Sequence, residues 1–320
     1  MFFEGAEKKA ELVVTPQAGS LRGRGRPFWD RIVATARAKI LSTIETPQCT
    51  AHLLSESSLF VWDDRVLLIT CGRTTLAPAV LEIVREVGAE NVAALIYERK
   101  DNIFPEYQPS NFLDDARALG RVLPGKAFRL GEEDEHHVSV FHLDRRFKPD
   151  PRDVTLEVLM HGIDAKARAA FCKGPQHTLE FIHRETGVRG IVEGFAVDDH
   201  VFDPSGYSLN ALRGPEYYTI HVTPQAVGSY VSFETNHFFN VDLDVVVQRV
   251  LDIFRPQSVD VLAFSSQLDP VTVPRPYQPR RSVVDKLGCG WSVQFLSFFK
   301  PQVRPGKAEP LALDGAVAAP

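Results

Sequence analysis

The sequence predicts an α+β protein built on antiparallel sheets, and three observations carry that expectation. Strand-like runs come in hairpin clusters, helical periodicity falls between the clusters, and the same grammar recurs in the second half of the chain. A doubly wound fold would instead alternate strand and helix throughout.

Residues 20–26 (Ser-Leu-Arg-Gly-Arg-Gly-Arg) read as a basic, solvated loop. A helix is expected over Phe28–Ile44, with Ile32, Val33, Ala36, Ile40 and Ile44 on one side. Leu53–Phe60 and Arg65–Thr70 read as strands joined at Asp63-Asp64. Over Thr75–Val87, Leu76, Val80, Ile83, Val84 and Val87 recur at helical spacing. Strands follow at Val92–Tyr97 and His136–Leu143, then at Thr155–Met160, Tyr217–Thr223, Ser229–Thr235, Val259–Ser265 and Ser292–Phe299. Helices are expected at Asp164–Phe171 with Asp164 as cap, at His177–Thr186 before Gly187, and at Asn240–Phe254 between a capping Asn240 and Pro256. From Pro301 the Pro, Ala and Gly content predicts a disordered tail, which leaves one domain over residues 1–300 and a tail over 301–320. No short internal repeat is visible.

Composition narrows the function classes. Apolar residues make up 44% of the 320 and charged residues 24%, as in soluble globular domains and unlike disordered or collagenous chains. The net charge of −5 supplies no overall field for nucleic acid or an anionic membrane. No apolar run reaches the roughly 18 residues of a spanning helix. The start, Met1-Phe2-Phe3-Glu4-Gly5, meets an acid before any hydrophobic stretch, unlike a secretory signal. Cys49, Cys71, Cys172 and Cys289 lie far apart without a CxxC pair, which argues against a zinc ribbon and for a reducing, cytoplasmic setting. The run Glu132-Glu133-Asp134-Glu135-His136-His137 reads as a solvated turn, and no metal is expected.

The most informative stretch is Leu53-Leu54-Ser55-Glu56-Ser57-Ser58-Leu59-Phe60. Taken alone it is a strand with a polar bulge. A serine in a strained backbone, however, can attack its own preceding carbonyl. The peptide becomes an ester, elimination across the serine breaks the chain, and a pyruvoyl group is left at the new N-terminus. Such an electrophile captures a substrate amine and draws off the electrons released by decarboxylation.

Ser55-Glu56-Ser57-Ser58 after two leucines resembles the processing site of eukaryotic-type S-adenosylmethionine decarboxylase proenzymes. Further segments resemble the same family in the same order: Phe2-Phe3-Glu4-Gly5-Ala6-Glu7-Lys8, Thr70-Cys71-Gly72, Phe202-Asp203-Pro204-Ser205-Gly206-Tyr207-Ser208-Leu209-Asn210, and Tyr218-Thr219-Ile220-His221-Val222-Thr223-Pro224 with Ser229–Asn236. The likeness spans about residues 2 to 300.

The resemblance implies a four-layer αββα sandwich, with two antiparallel sheets face to face and helices outside. It implies cleavage between Glu56 and Ser57 into a β chain (1–56) and an α chain (57–320), with Ser57 becoming the pyruvoyl cofactor. Ser208 and His221 match the pair that assists processing, and a neutral imidazole suits a proton acceptor near pH 7. Cys71 matches the donor that returns a proton to the substrate α-carbon, a task for which a thiol is acidic enough. Glu4 and Glu7 match active-site acids. Phe3 and Phe202 match the aromatic pair that sandwiches the adenine of S-adenosylmethionine, and their faces tolerate its sulfonium. Leu54 and Glu56 complete the implied substrate contacts. The implied product is the aminopropyl donor for spermidine.

Two departures qualify this. The family usually has Thr-Pro-Glu after the processing histidine, the glutamate gripping the ribose diol; here Gln225 stands in that place, and weaker ribose binding is expected. Gln225 also keeps open a neofunctionalised ornithine or arginine decarboxylase, while a non-catalytic regulatory paralogue is disfavoured by the presence of Ser57, Cys71, Ser208 and His221. Some members carry a buried acidic cluster that binds putrescine as an activator; Glu11, Asp153, Thr155, Glu157, Glu234 and Phe264 match it. A lysine usually two residues before the cysteine is Ile69 here, and an aromatic wall residue is Ile96; the acids hold either a diamine or Arg side chains instead. Monomer and homodimer of αβ units both occur in the family.

Overall fold

In the computed structural model, which describes residues 3–172, 178–237, 243–267 and 274–301, the strands form two eight-stranded antiparallel sheets. The first contains β1 (Lys8–Val14), β2 (Ile40–Glu45), β3 (Thr50–Leu54), β4 (Ser57–Val61), β5 (Arg65–Thr70), β6 (Val92–Lys100), β7 (Gly125–Leu130) and β8 (Val138–Leu143). Its spatial order is β2-β3-β4-β5-β1-β6-β8-β7. The second contains β9 (Val154–His161), β10 (Ala196–Val201), β11 (Tyr207–Arg213), β12 (Glu216–Thr223), β13 (Tyr230–Thr235), β14 (Ser258–Ser265), β15 (Gln278–Lys286) and β16 (Ser292–Phe299), in the order β10-β11-β12-β13-β9-β14-β16-β15. Advancing every strand number by eight turns the first order into the second. The two halves of the chain therefore repeat one topology.

Alternation along β1 shows how the layers assemble. Ala10, Leu12 and Val14 sink into a core with α1 (Arg26–Thr35), α2 (Leu76–Val87) and α3 (Phe112–Gly120). Val13, on the opposite face, joins Ala94, Ile96 and Val140 against Leu159, Leu262, Phe264 and Val293 of the second sheet. The outer face of that sheet is covered by α4 (Ala165–Ala170), α5 (Leu179–Thr186) and α6 (Leu243–Phe254). The result is the expected αββα sandwich. No described helix is long and apolar enough to cross a membrane.

Two elements differ from expectation. The helix expected over Phe28–Ile44 ends at Thr35; Arg37 takes φ 64, and Ile40–Glu45 is strand β2. Ile40 and Ile44 are four apart, a spacing that satisfies both the helical and the strand period. The single strand expected over Leu53–Phe60 is instead a hairpin that turns at Ser55-Glu56, with Leu54 opposite Ser57. Strands β1, β2, β7, β10, β11 and β15 and helix α3 were not anticipated, because charged or polar residues interrupt their apolar pattern. Asp164 caps α4 as expected, accepting from the Lys166 and Ala167 amides. Asn240 and His177 lie outside the described residues, as does nearly all of the tail. The arginines of the basic loop are spent locally: Arg22 donates to the Thr46 and Pro47 carbonyls and Arg24 to that of Ala18.

Candidate functional site

The site grows from the β3–β4 hairpin. A two-residue hairpin loop needs positive φ, which Asn and Gly supply at little cost. Here the loop is Ser55-Glu56 and the positive φ, 125°, falls on Ser57, a residue whose Cβ resists it. Such a backbone carries strain of about 1–3 kcal/mol, and surrounding packing must hold it. Ser57 is 1% exposed. Its Oγ lies 3.0 Å from His221 Nε2 and 3.1 Å from Nδ1, across the gap between the sheets.

Register places the partners of His221. Ser208 on β11 and Ser232 on β13 sit directly opposite it on either side, so all three side chains share the face toward Ser57. Glu7 Oε1 is 2.8 Å from His221 Nδ1 and accepts from Ser232 Oγ at 2.7 Å. Tyr230 OH donates to the other Glu7 oxygen. A carboxylate on Nδ1 favours the tautomer with its proton there, leaving Nε2 to accept from a serine hydroxyl. Ser58 Oγ is 2.8 Å from the same Nε2 and donates to Asn210 Oδ1 at 2.6 Å, and Thr219 Oγ1 closes the group at 3.1 Å from Nε2.

The Glu56 carbonyl, the one Ser57 would attack, is already gripped. It accepts from the Cys71 amide at 3.0 Å and from Cys71 Sγ at 3.5 Å. Burial, then Glu56 and Glu7, push the half-buried Cys71 thiol well above its usual range, and Lys8 opposes them. Burial raises the Glu56 carboxyl to about 7, again against Lys8. Glu4, 6% exposed, has its carboxyl raised by burial while accepting from the Phe104 amide; its carbonyl accepts from the Gly72 amide.

Phe3 and Gln225 meet at the rim. The Phe3 amide donates to Gln225 Oε1 at 3.3 Å, and Arg168 holds the Gln225 carbonyl at 2.8 Å. The Phe3 ring lies against Gly72, where an added Cβ would come within 3.0 Å of it. Phe202 is half-buried, with its amide on the Gly206 carbonyl and its ring edge-on to His200. Leu54, placed by sequence at the substrate, turns its side chain into the core beneath the helices.

A second buried group lies between the sheets. Lys9 Nζ is 2.7 Å from Glu157, 3.2 Å from Glu234 and 3.4 Å from Glu98. Lys100 Nζ reaches Glu157 at 2.7 Å and Glu98 at 3.1 Å. Arg65 takes both Asp153 oxygens and Glu11. Tyr217 OH donates to Glu234, and Phe264, opposite Thr155, lies 5.8 Å under Lys9 Nζ. The six residues matched to an activator site are thus brought together, with cations of the chain among them. Ile69 and Ile96 are both buried.

Sequence reasoning missed Ser58, Asn210, Thr219, Ser232, Tyr230, Lys8, Lys9, Glu98, Lys100 and Arg65. A signal existed for some: Lys8-Lys9 and Glu98-Arg99-Lys100 are charge runs inside segments that otherwise look apolar. Among the described residues, no group of three or more His, Cys, Asp or Glu is set to hold a metal.

A strained serine, its preceding carbonyl held by two donors and its hydroxyl facing a histidine–carboxylate pair, is the arrangement of a chain built to act on its own peptide bond, the class of self-processing enzymes. A sequence model of the adenosylmethionine decarboxylase family matches residues 1–285, and the chain belongs to that family. It is 34% identical to the S-adenosylmethionine decarboxylase proenzyme of Xenopus laevis over 282 residues, covering 83% of this chain and 84% of the relative. The Caenorhabditis elegans proenzyme is 35% identical over 285 residues, 83% and 77% of the respective lengths. Among solved structures, the Trypanosoma brucei AdoMetDC-delta26 monomer superposes with a TM-score of 0.59 at 26% identity, covering 76% of this chain and 99% of that one.

Proposed function

We propose that the chain cuts itself between Glu56 and Ser57 and that the product is a pyruvoyl-dependent S-adenosylmethionine decarboxylase. The observation that carries this reading is Ser57, strained at φ 125°, with its Oγ 3.0 Å from His221 and the preceding carbonyl held by Cys71. In the uncut chain Ser57 Oγ attacks the Glu56 carbonyl, whose oxygen charge the Cys71 amide stabilises, and the Glu56–Ser57 C–N bond breaks as the hydroxyl proton passes to the freed amine, leaving an ester. His221 then takes the Ser57 Cα proton as the ester C–O bond breaks and the Glu56 carboxylate departs, with Glu7 stabilising the imidazolium; water replaces the Ser57 nitrogen, which leaves as ammonia. Ser208, facing His221, assists. The pyruvoyl group, once made from Ser57, supplies an electrophilic carbonyl that captures the substrate amine and an electron sink for the carboxylate's departure.

The chain's own residues then bind and protonate. Phe3 and Phe202 stack the adenine, Gln225 meets the ribose, Glu4 and Glu7 face the cationic end of the substrate, and Cys71 carries the proton destined for its α-carbon. Burial keeps the thiol protonated at neutral pH, although it makes Cys71 a weaker acid than the free thiol expected from the sequence. The matched acids hold Lys9, Lys100 and Arg65 in place of a diamine, so decarboxylation runs without putrescine. We place the enzyme in the cytoplasm; the αβ unit carries the whole site, with or without a second copy.

The test is denaturing intact mass after incubation with cyanoborohydride and a mixture of S-adenosylmethionine, ornithine and arginine. Two chains, 1–56 and 57–320, with an S-adenosylmethionine-derived adduct on the larger are expected. An ornithine or arginine adduct, or an uncut chain, overturns the reading.

A further inference from the structure

We propose that Lys8 is the positioning residue that holds the Cys71–Gly72 turn against the Glu56 carbonyl, and that self-cleavage and the chemistry of the Cys71 thiol both depend on it. The inference rests on the reading that the Glu56–Ser57 bond is the one cut.

Lys8 is 1% exposed and among the largest fully buried side chains. In β1 it follows the period of Ala10, Leu12 and Val14, so it lies on the helix-facing side of the sheet, behind the site rather than in it. Its register partner on β5 is Thr70, itself opposite Ser57 on β4. The ammonium donates to the Gly72 carbonyl at 2.9 Å, to Gln108 Oε1 at 2.8 Å and to Thr74 Oγ1 at 3.3 Å. Thr74 in turn donates to Thr70 at 3.0 Å.

These bonds converge on one turn. Cys71 supplies both donors on the Glu56 carbonyl, and the Gly72 amide is held from the other side by the Glu4 carbonyl. Gln108 ties in the segment whose Phe104 amide holds the Glu4 carboxylate. One ammonium therefore fixes the turn that grips the scissile carbonyl and the segment that orients Glu4. All three of its partners are neutral oxygens, which only partly offset the loss of water around a buried charge. A Met or Leu would fill the space without that cost, so stability alone does not explain a lysine here.

Charge adds to geometry. The groups facing Lys8 are Arg99 on β6, Asp115 on α3, Cys71 in the turn, Glu4 ahead of β1, and Glu56 in the hairpin. Burial, then Arg99, bring its amine down to about 8, while Cys71, Asp115 and Glu4 favour its proton. Lys8 is also the cation that opposes the rise in the Cys71 thiol. Below about pH 8 the tether is charged; above it the amine loses its proton and the grip on the turn weakens.

The test uses full-length wild-type, Lys8→Met and Lys8→Arg chains made by cell-free synthesis, with cleavage followed by pulse-chase across pH. The same two substitutions are placed in an uncut Ser57→Ala background, where alkylation of Cys71 by iodoacetamide is read by mass. Lys8→Met is expected to slow cleavage about tenfold or more at neutral pH and to slow Cys71 alkylation by a similar factor. Wild-type cleavage should fall off above about pH 8, and Lys8→Arg, which keeps its charge, should restore most of the rate and move that fall to higher pH. Equal cleavage rates, pH profiles and alkylation rates in wild type and Lys8→Met overturn the proposal. So does a Lys8→Arg chain that keeps the wild-type fall at pH 8. If the wild-type chain stays uncut, the reading of the Glu56–Ser57 bond falls, and the alkylation arm still decides Lys8.

Discussion

Ser57 Oγ lies 3.0 Å from His221 Nε2, although the two residues are 164 positions apart and belong to opposite sheets. The contact exists because β4 and β12 occupy equivalent places in the two repeated sheets, so their inner faces meet across the sandwich.

Removing either end of this contact has different consequences. Ser57→Ala should leave one uncut chain, since no hydroxyl is present to attack. His221→Ala keeps the strained hydroxyl and loses the proton acceptor, so cleavage should slow by about 10²–10⁴-fold. Denaturing electrophoresis over time distinguishes the two.

In the proposed mechanism Cys71 uses its backbone for one task and its side chain for another. Cys71→Ala keeps the amide on the Glu56 carbonyl at 3.0 Å and loses only the longer thiol contact. Self-cleavage should slow less than tenfold, whereas decarboxylation should fall by at least about a hundredfold for want of the proton donor. The ratio of cleavage rate to kcat is the measurement.

Gln225→Glu should lower KM for S-adenosylmethionine about five- to tenfold with little change in kcat. A carboxylate forms stronger bonds to the ribose diol and to the Phe3 amide, by about 1 kcal/mol. Steady-state kinetics at fixed ionic strength provide the check.

Lys9→Leu should destabilise the fold by about 3–5 kcal/mol, because the buried, ionised Glu157 loses one of its two counter-charges. Added putrescine should leave the wild-type melting temperature and rate unchanged and raise the melting temperature of Lys9→Leu. Thermal melts with and without the diamine test both statements.

The same cluster sets a pH dependence. Burial works against ionisation of Glu157, but Lys100 and Lys9 outweigh it and hold the carboxyl below its usual value of 4.5. A carboxylate with a depressed folded pKa contributes stability that is full above the unfolded value and is lost as pH falls through the folded one. Melting temperature should therefore drop below about pH 4.5, and the drop should shrink in Glu157→Gln.

Much of the site was legible because the chemistry falls in short contiguous segments. Ser57, Cys71, His221, Glu4 and Glu7 each lie in a stretch whose residue order resembles a family motif, and the structure gathers them around the Glu56–Ser57 bond and the Cys71–Gly72 turn. The supporting residues were not legible. Asn210 and Ser232 are ordinary polar residues until register sets them on the His221 face or beside Ser58. Lys8 and Lys9 are adjacent in sequence, yet the strand period sends one to the back of the Cys71 turn and the other between the sheets.

The sequence by itself determined the α+β class, the apolar face of α2 and the cap of α4, because these depend on local periodicity and on a few neighbouring side chains; it marked the site residues only through the likeness of short motifs to a known family. Only the tertiary structure decided that Leu53–Phe60 folds back at Ser55-Glu56, that the positive φ falls on Ser57, and that the buried acids face Lys9, Lys100 and Arg65. Those outcomes turn on strand register and on which faces meet across the sandwich. Register is set by pairings such as Lys8 with Arg99 and Val154 with Ser265, far apart in the chain, which no local window of sequence contains.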